Sequence, residues 1–90
     1  MKIVKFGSPY CGPCKMQEKY LDDFVKQGYT EDKGYHIEQV DATEDEARAE
    51  ECNVSSIPTT IIYNDNGEEI KRFNGLLLTK QLIEFVESVK

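Results

Sequence analysis

The sequence predicts an α/β fold in which three helices cover a mixed four-stranded sheet. Three observations lead to this prediction. Segments with the periodicity of strands alternate with segments of helical periodicity through the first half of the chain. Two strands joined by a tight turn follow, and an amphipathic helix closes the chain. Ninety residues suffice for one hydrophobic core and not for two, so we expect a single domain over residues 1–90.

The first half of the chain predicts a parallel βαβ unit. Residues 2–6 have the pattern of a strand, with Ile3 and Val4 supplying β-branched side chains. Apolar residues then recur at helical spacing, from a helix start at Pro13 to Gly28, which ends the helix. A second strand follows over residues 35–41. A strand, a helix and a second strand in this order form a right-handed crossover, which makes the two strands parallel.

The second half predicts a short helix, a hairpin and a last helix, so the element order is β-α-β-α-β-β-α. Thr43, with a glutamate three residues later, predicts a capping box that opens an acidic helix reaching about Cys52. Strands over residues 59–64 and 68–74 flank the turn sequence Asn-Asp-Asn-Gly, so they pair antiparallel. Thr79 is expected to cap the last helix. The apolar stripe of that helix consists of Leu82, Ile83, Val86 and Val89.

Charge and hydropathy exclude several classes of function. Eleven Lys and Arg residues stand against 17 Asp and Glu residues, a formal net charge of −6. Because phosphate binding requires a basic surface, we expect neither nucleic acid nor an anionic membrane as a partner. No apolar run is long enough to cross a bilayer, and the N-terminal residues lack the apolar stretch of a signal peptide. We therefore expect a cytoplasmic protein, and nothing in the sequence indicates more than a monomer.

Two of the three cysteines form the motif Cys-Gly-Pro-Cys, residues 11–14, between the first strand and the first helix. In an open α/β sheet, chemistry is usually placed at this end of a strand. Cysteines one helical turn apart have Cα atoms roughly 5–6 Å apart, which fits a disulfide. Gly12 allows a close backbone turn between them, and Pro13 fixes the helix start.

The two cysteines are predicted to have different roles. The free N–H groups and the positive dipole end at the helix start favour a thiolate at Cys11, which makes Cys11 the attacking sulfur. Cys14 lies one turn further and is expected to be more buried. It would therefore resolve the mixed disulfide that the attack by Cys11 creates.

Two other interpretations of these cysteines remain open. Both could be small core residues, although strand, motif and helix coincide here. Both could belong to a zinc site with Cys52 and His36, since zinc needs four ligands. Cys52 and His36 are isolated in sequence rather than a second close pair, so we expect no metal. In a reducing compartment, a close pair of cysteines is more often catalytic or metal-binding than a structural disulfide.

Two separated motifs resemble those of the thioredoxin family, and the resemblance extends over essentially the whole chain. Residues 10–15, Tyr-Cys-Gly-Pro-Cys-Lys, are similar to the family's Trp-Cys-Gly-Pro-Cys-Lys, with Tyr10 in the Trp position. Residues 57–59 are similar to the family's Ile-Pro-Thr, whose proline is cis. The family's N-terminal strand and helix are absent, so the size is that of a glutaredoxin. The approach Gly-Ser-Pro-Tyr-Cys also looks glutaredoxin-like.

The resemblance implies a thioredoxin-like fold with a substrate groove beside the cysteine pair. Pro58 is expected to follow a cis peptide bond, and Ile57 to offer its backbone to a substrate segment by strand addition. Gly75 resembles the family's glycine that lines this groove. Tyr10, Ile57 and Leu76 are expected to form an apolar rim, although Ile57 and Leu76 could instead be core residues.

Lys5 departs from the family pattern. Thioredoxins place a buried Asp six residues before the first cysteine, where it helps to deprotonate the second, and here that position is Lys5. The lysine that the family pairs with this Asp aligns with Ile37. If Lys5 pointed at the sulfurs, its charge would favour thiolates and make the disulfide more oxidising. Because burying an ammonium is costly, we expect Lys5 to extend to solvent and to leave the potential unchanged.

The resemblance implies a thiol–disulfide oxidoreductase that reduces protein disulfides and needs no cofactor beyond its Cys11–Cys14 disulfide. A thioredoxin-reductase-like flavoprotein using NADPH would restore the dithiol. One alternative is a glutaredoxin-like electron donor, recycled by glutathione or dedicated to one reductase such as ribonucleotide reductase. The single glycine at Gly75, where glutaredoxins have a Gly-Gly pair, weakens the case for glutathione. A more distant alternative is a non-catalytic module that binds a metal or a protein partner.

Overall fold

The computed structural model describes all residues 1–90 and contains four strands and three α-helices. The predicted element order is confirmed, with one addition, a short 3-10 helix at Glu31–Lys33 that the sequence did not predict. No helix has both the length and the apolar character needed to cross a membrane. The strands are β1 (Lys2–Gly7), β2 (His36–Asp41), β3 (Thr59–Tyr63) and β4 (Glu69–Asn74). The helices are α1 (Gly12–Lys26), α2 (Glu46–Glu51) and α3 (Thr79–Glu87).

The sheet is mixed, as predicted, with the strand order β2-β1-β3-β4. β1 pairs parallel with β2 and antiparallel with β3, and β3 pairs antiparallel with β4. Every residue of β1 from Ile3 to Gly7 is buried, because β1 has a neighbouring strand on each side and helices on both faces. The chain that follows β1 therefore leaves the sheet at the C-terminal end of a central strand.

Helices cover both faces of the sheet, and each face has its own apolar cluster. Ile3 and Ile62 lie in the cluster packed against α1 and α3, together with Leu21. Val4, Phe6 and other side chains form the cluster on the opposite face, under α2. Successive residues of β1 thus serve opposite faces, which is the alternation expected of a strand.

The predicted cap of α2 is wrong. Asp45 caps this helix, and its carboxylate accepts the Arg48 backbone N–H at 3.2 Å. Thr43, the predicted cap, instead donates its backbone N–H to the Asp41 side chain at 2.8 Å, and its hydroxyl donates to the same oxygen. An Asp side chain that folds back on the next residues forms an Asx turn. Thr43 therefore lies in the turn that follows β2 and does not cap α2.

The predicted cap of α3 is also wrong. Thr79 is the first residue of the helix, and its hydroxyl donates to the backbone carbonyl of Tyr20 in α1 at 3.1 Å. The preceding residue, Leu78, occupies the cap position, and its N–H donates to the Gln81 side chain at 2.9 Å. The Thr79 hydroxyl is thus used in the contact between α3 and α1 and does not cap α3.

A buried glutamine fastens α1 to the segment that leads into α3. The Gln17 side chain is fully buried, accepts the Leu77 N–H and donates to the Leu77 carbonyl, each at 2.8 Å. Both backbone groups of Leu77 would otherwise be unpaired in the core, where an unpaired polar group is destabilising. This pair of hydrogen bonds holds the residues after β4 against α1.

Replacing Gln17 with Met keeps most of the side-chain volume and leaves both polar groups of Leu77 without partners. We expect the free energy of unfolding to fall by about 2–4 kcal/mol, measured by urea denaturation with circular dichroism. Gln27→Met, at the exposed end of the same helix, serves as the control and should change the stability by less than about 0.5 kcal/mol. Equal stabilities of the two variants would contradict this role for Gln17.

Glu38 links β2 to α2 and to β1. Its carboxylate accepts from both terminal nitrogens of the Arg48 guanidinium, one of them at 2.9 Å, and from the Lys2 ammonium at 2.9 Å. These hydrogen bonds, first that of Arg48 and then that of Lys2, lower the pKa of Glu38 to about 2. The charged form of Glu38 is therefore favoured by the folded state.

Glu38→Gln should weaken the acid dependence of stability. Because the folded pKa of Glu38 lies below its unfolded value, the carboxylate stabilises the fold above about pH 5 and loses this effect as the pH falls through about 2. Glu38 and Arg48 are 30% and 31% exposed, so water screens the pair and we expect about 1 kcal/mol at pH 7. Urea denaturation at pH 7 and near pH 2 should show the difference between wild type and variant shrinking. A constant difference would contradict the assignment.

Candidate active site

The two cysteines of the Cys-Gly-Pro-Cys motif lie at the start of α1, joined as a disulfide with Cα atoms 5.2 Å apart. Cys11 caps the helix with extended backbone angles, and its sulfur accepts the Cys14 backbone N–H at 3.2 Å. Cys14, inside the first turn, is 1% exposed, whereas Cys11 is partly exposed. A substrate can therefore reach Cys11, and the free N–H groups at the helix start are directed at the sulfur of Cys11.

The two residues between the cysteines are both exposed. Pro13 lies in the first turn of α1, where the missing N–H leaves no bond of the helix unmade. A side chain on Gly12 would have open space around it, with no atom within 4 Å of its Cβ. The local backbone therefore does not require glycine at residue 12, in contrast to the close turn that the sequence suggested.

Three chain segments meet at the end of the sheet where β1 leads into α1. β1 ends at Gly7, β3 begins just after Pro58, and β4 ends just before Gly75. The Gly75 N–H donates to the Pro58 carbonyl at 2.8 Å, so these two segments are held side by side. The peptide bond between Ile57 and Pro58 is cis. Neither backbone polar group of Ile57 is hydrogen-bonded within the chain, so both can pair with another molecule.

The three apolar residues expected at the rim differ in exposure. Tyr10 is 90% exposed, whereas Ile57 and Leu76 are half-buried. Ile57 packs against the cluster under α2, and Leu76 precedes the buried Leu77. Tyr10 is therefore free to contact a partner, Ile57 combines a packed side with an accessible one, and Leu76 is partly accessible.

The expectation that Lys5 extends to solvent is wrong. Lys5 is 3% exposed, and its Nζ lies 3.5 Å from the Glu18 carboxylate of α1. A Cβ placed on Gly7 would lie 2.9 Å from the Lys5 Nζ and 3.3 Å from the Cys14 Sγ, so the ammonium points along β1 toward the cysteine. Lys5 lies on the central strand beneath α1, which closes the direct path to solvent.

Sequence reasoning missed two residues of this site, Gly7 and Glu18. Gly7 leaves room for the Lys5 ammonium and for Cys14 to pack over the end of β1. Glu18 lies four residues after Cys14 on the same helix, a spacing that places both on one face. The spacing could have predicted Glu18 as a residue of the site, but only if Lys5 had already been known to be buried beneath α1.

The residues considered as zinc ligands are not gathered in the fold. No group of three or more His, Cys, Asp or Glu side chains lies close enough to hold a metal ion. His36 is exposed, with its Nδ1 2.9 Å from a Glu31 oxygen. Cys52 lies at the end of α2, with its sulfur 3.5 Å from the Tyr63 hydroxyl oxygen.

Comparisons with known proteins agree on one family. Residues 1–88 match the family model described as thioredoxin. A prophage-derived thioredoxin-like protein of Bacillus subtilis is 35% identical over 75 residues, which are 83% of this chain and 82% of that protein. NADPH-dependent thioredoxin reductase 3 of Arabidopsis thaliana is 30% identical over 88 residues, 98% of this chain and 16% of that protein. The solved structure of a mutant thioredoxin from Halobacterium salinarum superposes with a TM-score of 0.84 at 26% identity, covering 97% of this chain and 72% of that one.

Replacing Gly75 with Ala tests the backbone that holds the Pro58 segment. Gly75 has a φ of +127°, and an added Cβ would lie 3.4 Å from the Phe73 ring. We expect urea denaturation to show a loss of about 1–3 kcal/mol. Gly67, in the β3–β4 turn, has a φ of +80° and open space around it, so Gly67→Ala should lose only about 1 kcal/mol. A larger loss for Gly67→Ala than for Gly75→Ala would contradict the prediction.

Proposed function

The chain belongs to the thioredoxin family and is a thiol–disulfide oxidoreductase, and from this premise we propose that it reduces protein disulfides with Cys11 attacking and Cys14 resolving. The observation that carries these roles is the unequal placement of the two sulfurs. Cys11 is partly exposed at the helix start, whereas Cys14 is buried one turn further along α1. Only Cys11 can meet the sulfur of a bulky protein substrate, and only Cys14 lies beside Cys11 afterwards.

The cycle consists of two balanced exchanges. In the first, the Cys11 thiolate attacks a substrate disulfide, the substrate S–S bond breaks, and one substrate sulfur leaves as a thiolate. In the second, the Cys14 thiolate attacks Cys11, the mixed disulfide breaks, and the other substrate sulfur leaves as a thiolate. Two electrons thus pass from the dithiol to the substrate, and the Cys11–Cys14 disulfide remains. The Cα separation of 5.2 Å allows the second exchange without movement of the backbone.

A substrate segment is proposed to bind in an extended conformation beside Ile57. The free N–H and carbonyl groups of Ile57 support this proposal, because they can pair with the backbone of an added strand. The Pro58 carbonyl is already engaged by the Gly75 N–H, so pairing would be confined to Ile57. Tyr10 and Leu76 would contact the apolar side chains of the substrate on either side.

Electrons are proposed to come from NADPH through a thioredoxin-reductase-like flavoprotein. The relative named NADPH-dependent thioredoxin reductase 3 contains a segment similar to nearly all of this chain, which supports a partner of that class over glutathione. A dithiol that must be kept reduced is consistent with a cytoplasmic electron carrier. We propose that this carrier acts as a monomer, without a cofactor beyond its own disulfide.

The roles of the two cysteines can be tested with insulin as the disulfide substrate, in a Cys52→Ser background that removes the third thiol. Cys14→Ser should accumulate a covalent mixed disulfide through Cys11, visible by non-reducing electrophoresis and mass spectrometry. Cys11→Ser should accumulate none. Both variants should lose at least about 100-fold in turnover, because each retains only one half of the exchange. Capture of insulin that survives a reductant would instead indicate a thiol-independent binding module.

The source of electrons is tested with the same substrate. Wild-type turnover supported by NADPH and thioredoxin reductase is compared with turnover supported by glutathione and glutathione reductase. We expect the first system to be at least about tenfold faster. Equal or faster turnover with glutathione would favour the glutaredoxin-like alternative and overturn the proposed partner.

A further inference from the structure

We propose that Lys5 is a positioning residue for the second exchange: its buried ammonium favours the Cys14 thiolate, and Glu18 moderates that effect from the surface. The inference rests on the proposed dithiol cycle and adds a charged residue that acts through Cys14. It gives a role to a cation that is only 3% exposed.

The end of β1 brings the ammonium and the sulfur together. The position of a Cβ on Gly7 is 2.9 Å from the Lys5 Nζ and 3.3 Å from the Cys14 Sγ. The separation of Nζ and Sγ therefore cannot exceed the sum of these two distances, about 6 Å, a range over which an opposite charge favours an ionised form. Glycine at residue 7 is what leaves this space open.

While the disulfide is intact, the Lys5 ammonium has one hydrogen-bond partner within the chain. A lysine ammonium carries three donors, yet within the chain the Lys5 Nζ donates only to the Glu18 carboxylate, at 3.5 Å, the long limit for such a bond. A buried charge with so few partners destabilises a fold. When the disulfide is reduced, a Cys14 thiolate would supply a second, oppositely charged neighbour. The reduced protein is therefore the state in which Lys5 is better compensated.

Three ionisable groups face the Lys5 ammonium from the surrounding elements. Glu18 of α1 is 54% exposed, so water screens its charge, whereas Cys14 of α1 is buried and is screened much less. Asp41, at the end of β2, is the third group. The pKa of Asp41 is lowered mainly by the hydrogen bond from the Thr43 hydroxyl and slightly by the charge of Lys5. Two carboxylates and one sulfur thus share this cation.

A cavity of about 240 Å³ opens at the same place and is lined by Lys5, Gly7, Glu18 and Asp41, among others. It gives the Lys5 side chain an opening toward solvent, and Cys14 does not line it. In the second exchange, the Cys14 thiol loses its proton to solvent. The thiolate then attacks Cys11, and the mixed disulfide with the substrate breaks.

The experiment compares two changes of opposite expected sign, each with a control on the same helix. Lys5→Met removes the cation and keeps the length of the side chain, and Glu18→Gln removes its counter-charge. Lys19→Met and Asp22→Asn remove the same charges from exposed positions of α1. Ionisation of Cys14 is followed by the ultraviolet absorbance of its thiolate in a Cys11→Ser, Cys52→Ser background. The equilibrium of the Cys11–Cys14 disulfide with glutathione is measured with both active-site cysteines present and Cys52→Ser.

Lys5→Met should lower the fraction of Cys14 thiolate at neutral pH by about three- to tenfold. It should also shift the glutathione equilibrium toward the disulfide by up to about tenfold, which is about 30 mV more negative. Glu18→Gln should change both quantities in the opposite direction, by about two- to threefold, and both controls should resemble the wild type.

Two results would overturn the inference: Lys5→Met behaving like Lys19→Met, or Lys5→Met and Glu18→Gln shifting both quantities in the same direction. Glu18 is exposed, so Glu18→Gln remains informative even if Lys5→Met fails to fold. Insulin turnover by the wild type tests the proposed cycle separately. A failed cycle and a neutral Lys5 are therefore distinguishable.

Discussion

The arrangement of the site depends on the burial of β1 at the centre of the sheet. A strand with neighbours on both sides and helices on both faces cannot shift without breaking both apolar clusters. The chain therefore leaves β1 at a fixed point, Gly7, and α1 begins five residues later. The end of this strand fixes the positions of Cys11 and Cys14. It thereby also fixes how exposed each sulfur is. The chemistry of the pair follows from where β1 ends.

The sequence was most informative where a pattern is local. The order of elements, the mixed sheet and the start of α1 follow from periodicity and from Pro13, and all agree with the structure. The caps of α2 and α3 were mispredicted, because the hydroxyls of Thr43 and Thr79 donate hydrogen bonds to groups outside the helices they were expected to cap. A cap pattern cannot reveal such competition, since the competing acceptors are fixed by the turn geometry or by tertiary packing.

The error over Lys5 has a different origin. The expectation that a lysine reaches solvent is sound for an average site, but it assumes that a path to solvent exists. On β1 that path is covered by α1, and the space left by Gly7 directs the side chain toward Cys14 instead. Neither the cover nor the space is visible in a sequence, because both result from the packing of a helix onto a strand. The departure from the family pattern was the clearest warning that this position is unusual.

The glutamine that holds Leu77 has a mechanical consequence. Gln17 lies on the same helix as Cys14, and its two hydrogen bonds reach the segment that begins at Gly75, the neighbour of Pro58. The segment after β4 and the helix that carries the buried sulfur are thus joined by hydrogen bonds through the core. If a substrate docks beside Gly75 as proposed, a displacement of that segment would therefore be passed through Gln17 to the helix that carries Cys14.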